Sequence, residues 1–244
     1  MSVPQQPDGT MVRWSARAPV VELETLAPAD GVLIVCPHPD DETLGCGQAL
    51  AAAAAAGRRI AIVLLTDGEG SHSGSKTFGR QRLVETRLAE FDRALNILAP
   101  GQSIPVLRLG LPDGASRFET VTPAQIDQIV SLAHELGRPA IWSTWREDPH
   151  CDHDSASLLA SHIAEQMELS LWSFAVWGRF GERELPGGLV RFERAALLSA
   201  KRRAMDAYAT QLTDMIDDDP NAFLMPAALC RHFADHPELF IRER

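Results

Sequence analysis

The chain reads as an α/β protein with a mostly parallel sheet and helices on both faces. Three observations lead there. Short apolar runs of buried-strand character alternate with longer segments of helical periodicity, the pattern of repeated βαβ units. Residues able to do chemistry cluster just after the apolar runs, where open α/β sheets bind their ligands. The length, 244 residues with 45% apolar, suits one large domain with a substantial core.

The elements follow in order. Residues 1–28 are polar and contain prolines, which predicts an extended N-terminal arm ahead of one domain over 29–244. Residues 31–36 (Gly-Val-Leu-Ile-Val-Cys) predict a buried strand. Residues 44–56 predict a helix, ended by Gly57 in the position where a left-handed residue is needed. The Ala-rich tract 49–56 inside it is too short and too weakly apolar to span a membrane, and suits close packing on a sheet. Residues 59–66 predict the next buried strand, and 67–79 a Gly- and Ser-rich loop. Leu83, Leu88, Phe91, Leu95 and Leu98 give 80–98 a helical period. Strands are predicted at 104–109, 140–144 and 171–176. Helices are predicted at 122–136, with Pro123 in the first turn, and at 154–167, 194–212 and 221–233.

Charge and cysteine usage narrow the class. The formal net charge is −10, from 33 acidic and 23 basic residues, which argues against nonspecific binding to nucleic acid or anionic membrane. Cys36, Cys46, Cys151 and Cys230 show no C-x-x-C pair or regular spacing, so reduced thiols and a cytoplasmic setting are expected. The first 28 residues lack the pattern of a secretory signal, and no apolar stretch reaches the length of a membrane span. Oligomeric state is left open.

Two clusters carry the chemistry. Pro37-His38-Pro39-Asp40-Asp41-Glu42 follows the first strand. An imidazole and three carboxylates so close to a core are costly unless something binds them, and a divalent metal is the natural partner. With a helix starting near Asp41, His38 and Asp41 reach one ion while Asp40 points elsewhere, free to act on a water. Helix capping and dipole complementarity explain one or two of these acids, not a histidine held between prolines. The second cluster, His150-Cys151-Asp152-His153, follows the strand at 140–144. One of its histidines can ligate while the other moves protons, and Asp152 can orient either ring. With His38 and Asp41 this makes a two-His, one-carboxylate set with an open position, the catalytic type of zinc site. Cys151 is an awkward ligand beside these neighbours. Pro112-Asp113-Gly114 has turn chemistry, and Asp113 can accept hydrogen bonds from a polyhydroxylated ligand. The 66–70 segment is Gly-rich but lacks the signature of a phosphate loop.

In order and spacing, these segments resemble the PIG-L/LmbE-like family of zinc-dependent N-acetylglucosaminyl deacetylases. The resemblance rests on 37–42, on Thr-Asp-Gly-Glu at 66–69, on Arg87, Glu90, Ala94 and Leu95, on Leu-Gly-Leu-Pro-Asp-Gly at 109–114, and on 150–153. Residues 201–211, from Lys201 through Tyr208 to Gln211, look like that family's C-terminal helix, so the likeness runs from about 31 to 240. It implies a Rossmann-like three-layer αβα sandwich and hydrolysis of an N-acyl group, usually acetyl, from N-acetylglucosamine-containing glycosides or glycolipids. It also implies His38, Asp41 and His153 as ligands of Zn2+, with Fe2+ an alternative, and Asp40 as general base. His150 would stabilise the oxyanion or protonate the leaving amine, with Asp152 orienting it. Asp113 is implied as a contact to a sugar hydroxyl, and Glu69 and Arg87 join it as candidate substrate contacts. Cys151 stands where the family usually has Pro, and Pro37 where it often has a small residue; neither change removes a catalytic group.

The expected partner is a small amino-sugar. Competing readings are an amidase of the same architecture that cleaves a non-acetyl amide such as a thiol conjugate, a metal-dependent phosphohydrolase, and a non-catalytic sugar-binding module. Specificity is expected in the loops 67–79, 111–121 and 178–190, the last charged and Gly-rich enough to suggest a mobile flap.

Overall fold

The computed structural model describes residues 4–27 and 30–243. The five predicted strands form as Gly31–Cys36 (β1), Arg59–Leu64 (β2), Val106–Arg108 (β3), Ala140–Thr144 (β4) and Leu171–Phe174 (β5). They pair in parallel in the order β3-β2-β1-β4-β5. Two strands were not predicted. Leu189–Phe192 (β6) and Glu238–Arg242 (β7) extend the sheet antiparallel, β7 on β5 and β6 on β7. In β6 an arginine interrupts the apolar residues, and in β7 charged residues bound a run of only three, so neither shows a long continuous apolar run.

The described part of the predicted arm is not extended. It holds the short helices Thr10–Trp14 (α1) and Leu23–Leu26 (α2) with a 3-10 turn at Ser15–Arg17 between them. Met11, Leu23 and Leu26 are buried, and the Trp142 indole N–H donates to the Leu26 carbonyl at 2.9 Å. The same segment straps down the predicted flap. Thr10 N–H donates to the Gly181 carbonyl, Gly181 N–H to that of Asp8, and Val21 N–H to that of Arg191. Arg179 and Phe180 are buried, so the start of the 178–190 loop is fixed in place.

The main helices are Asp41–Ala55 (α3), Arg80–Leu98 (α4), Pro123–Glu135 (α5), Cys151–Met167 (α6) and Ala195–Met205 (α7). α3 and α6 both start three residues ahead of prediction, at residues of the two clusters. The single helix predicted at 194–212 breaks at Tyr208 and resumes as Ala209–Leu212 (α8). The last helix starts only at Ala227 (α9, to Asp235), behind Pro226. β1 shows how the layers form: Val32, Ile34 and Cys36 face the core shared with α3 and α4, and Leu33 and Val35 that shared with α5 and α6. No helix among the described residues is long and apolar enough to cross a membrane.

Helix α3 lies close against the sheet. A Cβ on Gly45 would overlap the Phe174 ring, so only glycine fits there. The next residue, Cys46, has φ −141° and ψ 23°, and the helix kinks at it. The backbone groups released by the kink meet a buried ion pair. Glu238 of β7 accepts from Gln48 N–H at 2.6 Å and Ala49 N–H at 2.9 Å. Lys201 of α7 donates to the Leu44 carbonyl at 2.9 Å and to Glu238 at 2.6 Å. One charge takes the free donors and the other the free acceptor, as capping groups do at ordinary helix ends. Lys201→Met leaves the buried Glu238 without the cation that contacts it. It is expected to lower unfolding free energy by about 3–5 kcal/mol in a urea titration.

Candidate functional site

Strand β1 has β2 on one side and β4 on the other. The helix after β1 (α3) packs on one face of the sheet and the helix after β4 (α6) on the other. The carboxyl ends of β1 and β4 therefore border the crevice at which open α/β sheets bind ligands. His38 to Glu42 lie beyond β1, and His150 to His153 beyond β4.

His153 is fully buried. Its Nδ1 lies 2.9 Å from Asp148 Oδ2. A carboxylate only accepts, so Nδ1 carries the proton and Nε2 presents a bare lone pair. That Nε2 has no hydrogen-bond partner among the described residues and faces Asp41 Oδ2 at 3.5 Å. His38 Nδ1 lies 3.0 Å from the same Asp41 oxygen. A buried acceptor set against another acceptor is unfavourable on its own and is what a cation between them satisfies. His38, Asp41 and His153 each offer a donor atom within 4.8 Å of the others, so this donor set fits a single ion. A second grouping, His38, His150 and Asp152, meets the same distance criterion.

Asp148 anchors more than one ring. Besides His153 it accepts from Val176 N–H at 3.0 Å, Trp177 N–H at 3.2 Å and Gly178 N–H at 2.5 Å. It is thus bonded both to a candidate ligand and to the chain behind the cavity wall.

Asp40 sits just before α3 with φ 140° and ψ −29°, a conformation sparsely populated for any residue with a Cβ. Its Oδ2 meets Arg87 Nη2 at 3.1 Å. Burial lifts the Asp40 carboxyl well above the ordinary carboxylate range, against the pull of Arg87. Arg87 is itself buried and also donates to the carbonyls of Pro39 and Gly68, each at 2.8 Å. Its guanidinium would overlap a Cβ on Gly68, where φ is +75°, so glycine is needed there on both counts. Arg87 holds Asp40 and two loops in place, and it also lines the cavity, where a substrate contact was expected of it.

The N-cap of α6 is His150, whose Nδ1 accepts from Asp152 N–H at 3.2 Å. The proton of the neutral ring is therefore on Nε2. Burial, with His38 and His153 adding to it, lowers this imidazole to about 4. Asp152 holds His150 through its backbone N–H and not through its carboxylate, whose Oδ2 is 3.9 Å from His150 Nδ1 and 2.9 Å from His38 Nε2. Gly114 N–H at 2.7 Å and the Ser116 N–H and hydroxyl, both at 2.8 Å, fix it on the 111–121 loop. Asp113 Oδ1 lies 3.3 Å from His38 Nε2, and its Oδ2 accepts from Gly70 N–H at 2.7 Å. The Glu69 carboxylate accepts from Arg80 at 2.7 Å and stands outside the cavity wall. Cys151 is exposed, its thiol 3.2 Å from the Gly114 carbonyl.

These groups surround a cavity of about 250 Å³. His38, Asp40, His150 and Asp113 line it together with Trp177, Phe223 and Gln211. The sequence singled out neither Trp177 nor Phe223, since nothing local marks an aromatic residue as pocket-lining.

The family model for GlcNAc-PI de-N-acetylase (PIG-L) matches residues 33–164, more than half of the chain and both clusters. A Bacillus anthracis protein, probable N-acetyl-alpha-D-glucosaminyl L-malate deacetylase 2, is 29% identical over 197 residues, covering 77% of this chain and 84% of that one. The conserved protein TT1542 from Thermus thermophilus superposes with a TM-score of 0.62 at 26% identity, over 88% of this chain and 96% of its own. GalB, a 4-carboxy-2-hydroxymuconate hydratase from Pseudomonas putida, superposes with a TM-score of 0.61 at 19% identity, over 75% and 80%. That last likeness is one of fold alone. The match across the two clusters, on a sheet that brings them together, places this chain in the PIG-L family.

Proposed function

We propose that the chain is a metal-dependent hydrolase that removes an N-acyl group, acetyl in the first instance, from an N-acetylglucosamine-containing glycoside or glycolipid. The observation that carries this reading is the bare, buried Nε2 of His153 facing Asp41, beside a buried Asp40 at the edge of a cavity. Family membership and the Bacillus anthracis relative support the amide and the amino-sugar.

His38, Asp41 and His153 would hold the ion. Two imidazoles and a carboxylate suit Zn2+ and also Fe2+. When bound, such an ion supplies Lewis acidity to an acyl oxygen and lowers the pKa of water. The remaining work falls to the protein. Asp40 takes the proton of the attacking water, and Arg87 fixes the carboxylate that does so. The proton then passes from Asp40 to the amine as the C–N bond breaks. His150, its Nδ1 occupied by the backbone, offers Nε2–H as a donor to the developing oxyanion. Asp148 keeps His153 in the tautomer that ligates. Asp152 aligns His38 in the same way from the other side. Asp113, on the cavity wall, is the residue placed to meet a sugar hydroxyl.

A phosphohydrolase is less well supported. Arg87 is the one Lys or Arg on the described cavity wall, and it is already engaged by Asp40, Pro39 and Gly68. A non-acetyl amide substrate would use the same groups, and an amine-release assay across acyl groups separates the two.

Three outcomes are expected. Purified protein should contain about one zinc or iron per chain by elemental analysis, and His153→Ala should lose it. A wild type that stays metal-free after reconstitution removes the hydrolase reading. Asp40→Asn should keep its metal and lose about 100-fold or more in amine release from N-acetylglucosamine glycosides. Asp148→Asn should weaken metal affinity about 10- to 100-fold in a chelator competition.

A further inference from the structure

The geometry points to Glu42, working with Tyr208, as the residue that positions Asp40; the catalytic consequence rests on the hydrolase reading above. Glu42 is fully buried, and no cation pairs with it among the described residues. All its partners are neutral donors. Oε2 accepts from Asp40 N–H at 3.1 Å. Oε1 accepts from the Tyr208 hydroxyl and from the Thr43 hydroxyl, each at 2.5 Å. A carboxylate in the first turn of a helix ordinarily faces water and complements the dipole there. This one turns inward and back, onto the N–H of the residue before the helix.

That residue is the strained one. At φ 140° Asp40 holds a conformation costing on the order of 1–3 kcal/mol, which persists only if its surroundings impose it. Glu42 fixes the backbone of Asp40 through its N–H, and Arg87 fixes the carboxylate. Removing either hold lets the peptide relax toward an ordinary helix start, carrying the side chain with it. The arrangement accounts for two sequence features that the proposed chemistry leaves unused, Glu42 in the 37–42 segment and Tyr208 in the 201–211 segment. It also explains the break between α7 and α8. Tyr208 stands in that break with φ −87° and ψ 58°, and from there its buried hydroxyl reaches an oxygen 166 residues earlier in the chain.

Glu42 touches neither substrate nor ion in this account, so its removal should act through Asp40. Glu42→Leu deletes both acceptors. Glu42→Gln keeps Oε1 for the Asp40 N–H, while its amide N–H groups can donate to the two hydroxyl oxygens. Crystal structures are expected to show Asp40 leaving the positive-φ region in Glu42→Leu and staying there in Glu42→Gln. With a substrate that the wild type turns over, Glu42→Leu should lower kcat about 10- to 100-fold, with KM changed by less than about twofold. Glu42→Gln should recover most of that loss. A merely structural role would lower Tm without this kcat-against-KM split. If Glu42→Leu does not fold, Tyr208→Phe is the milder variant, with the same displacement of Asp40 and a smaller loss of kcat expected. Asp40 keeping its positive φ in the variant that folds overturns the proposal. So does Glu42→Gln falling as far as Glu42→Leu, since charge and not the acceptor would then be what matters. A wild type inactive on every amide ends the hydrolase reading, and the Asp40 backbone in the variants still decides this one.

Discussion

Burying carboxylates at the carboxyl end of β1 and β4 is the constraint that organises this molecule. Asp40, Asp41, Glu42, Asp148 and Asp152 are all buried there. An ionised carboxylate in such a place is tolerable only with partners that satisfy its oxygens. Each has a different solution. Asp40 meets a buried guanidinium, Asp41 the ring and backbone N–H of His38, Glu42 neutral donors, Asp148 three successive backbone N–H groups and an imidazole, and Asp152 a loop and His38. Because the partners come from α4, from the 111–121 and 175–178 loops and from the α7–α8 junction, satisfying the acids also fixes how those pieces meet. The rigidity of the cavity is a by-product of solving an electrostatic problem.

What the sequence revealed divides along the range of the interactions involved. Four of the five parallel strands were legible because burial leaves a continuous apolar run, a local signal, and the edge strand β3 shows a shorter run of the same kind. The clusters at 37–42 and 150–153 were legible for the same reason, since a histidine among acids is conspicuous within a few residues. Partners were not. Asp152 looked like a neighbour for His150 because the two are close in sequence, yet the 111–121 loop turns it onto His38. Arg87 and Glu90 stood out only as members of one segment, and their partners lie elsewhere: Arg87 meets Asp40, and Glu90 accepts from the Thr210 N–H and hydroxyl. β6, β7 and the N-terminal helices were missed because short elements with charged residues have no period to read, and only pairing across the fold defines them.

The cavity wall follows the same logic at longer reach. Asp218 accepts from the Lys76 and Thr77 N–H groups and the Ser75 hydroxyl, and Asp219 from Gly74 N–H. Phe223 N–H donates to the Ser71 carbonyl. The 67–79 loop, expected to set specificity, is therefore latched to a segment near the far end of the chain that the sequence did not implicate. Substitutions at Asp218 or Asp219 act on the shape presented to a ligand without touching it.

The kink in α3 has a consequence for how the protein is made. Gln48 and Glu238, which meet at that kink, are 190 residues apart in the chain. During synthesis the helix bearing Asp41 emerges long before the carboxylate that receives its freed N–H groups, and before the lysine that receives the freed carbonyl. A nascent chain holding both clusters but not yet β7 lacks the groups that set the bend beside them. The 37–42 segment is thus made about 190 residues before the carboxylate that meets the bend beside it. Premature termination before residue 238 would yield a chain with every candidate metal ligand present and no finished scaffold to hold them.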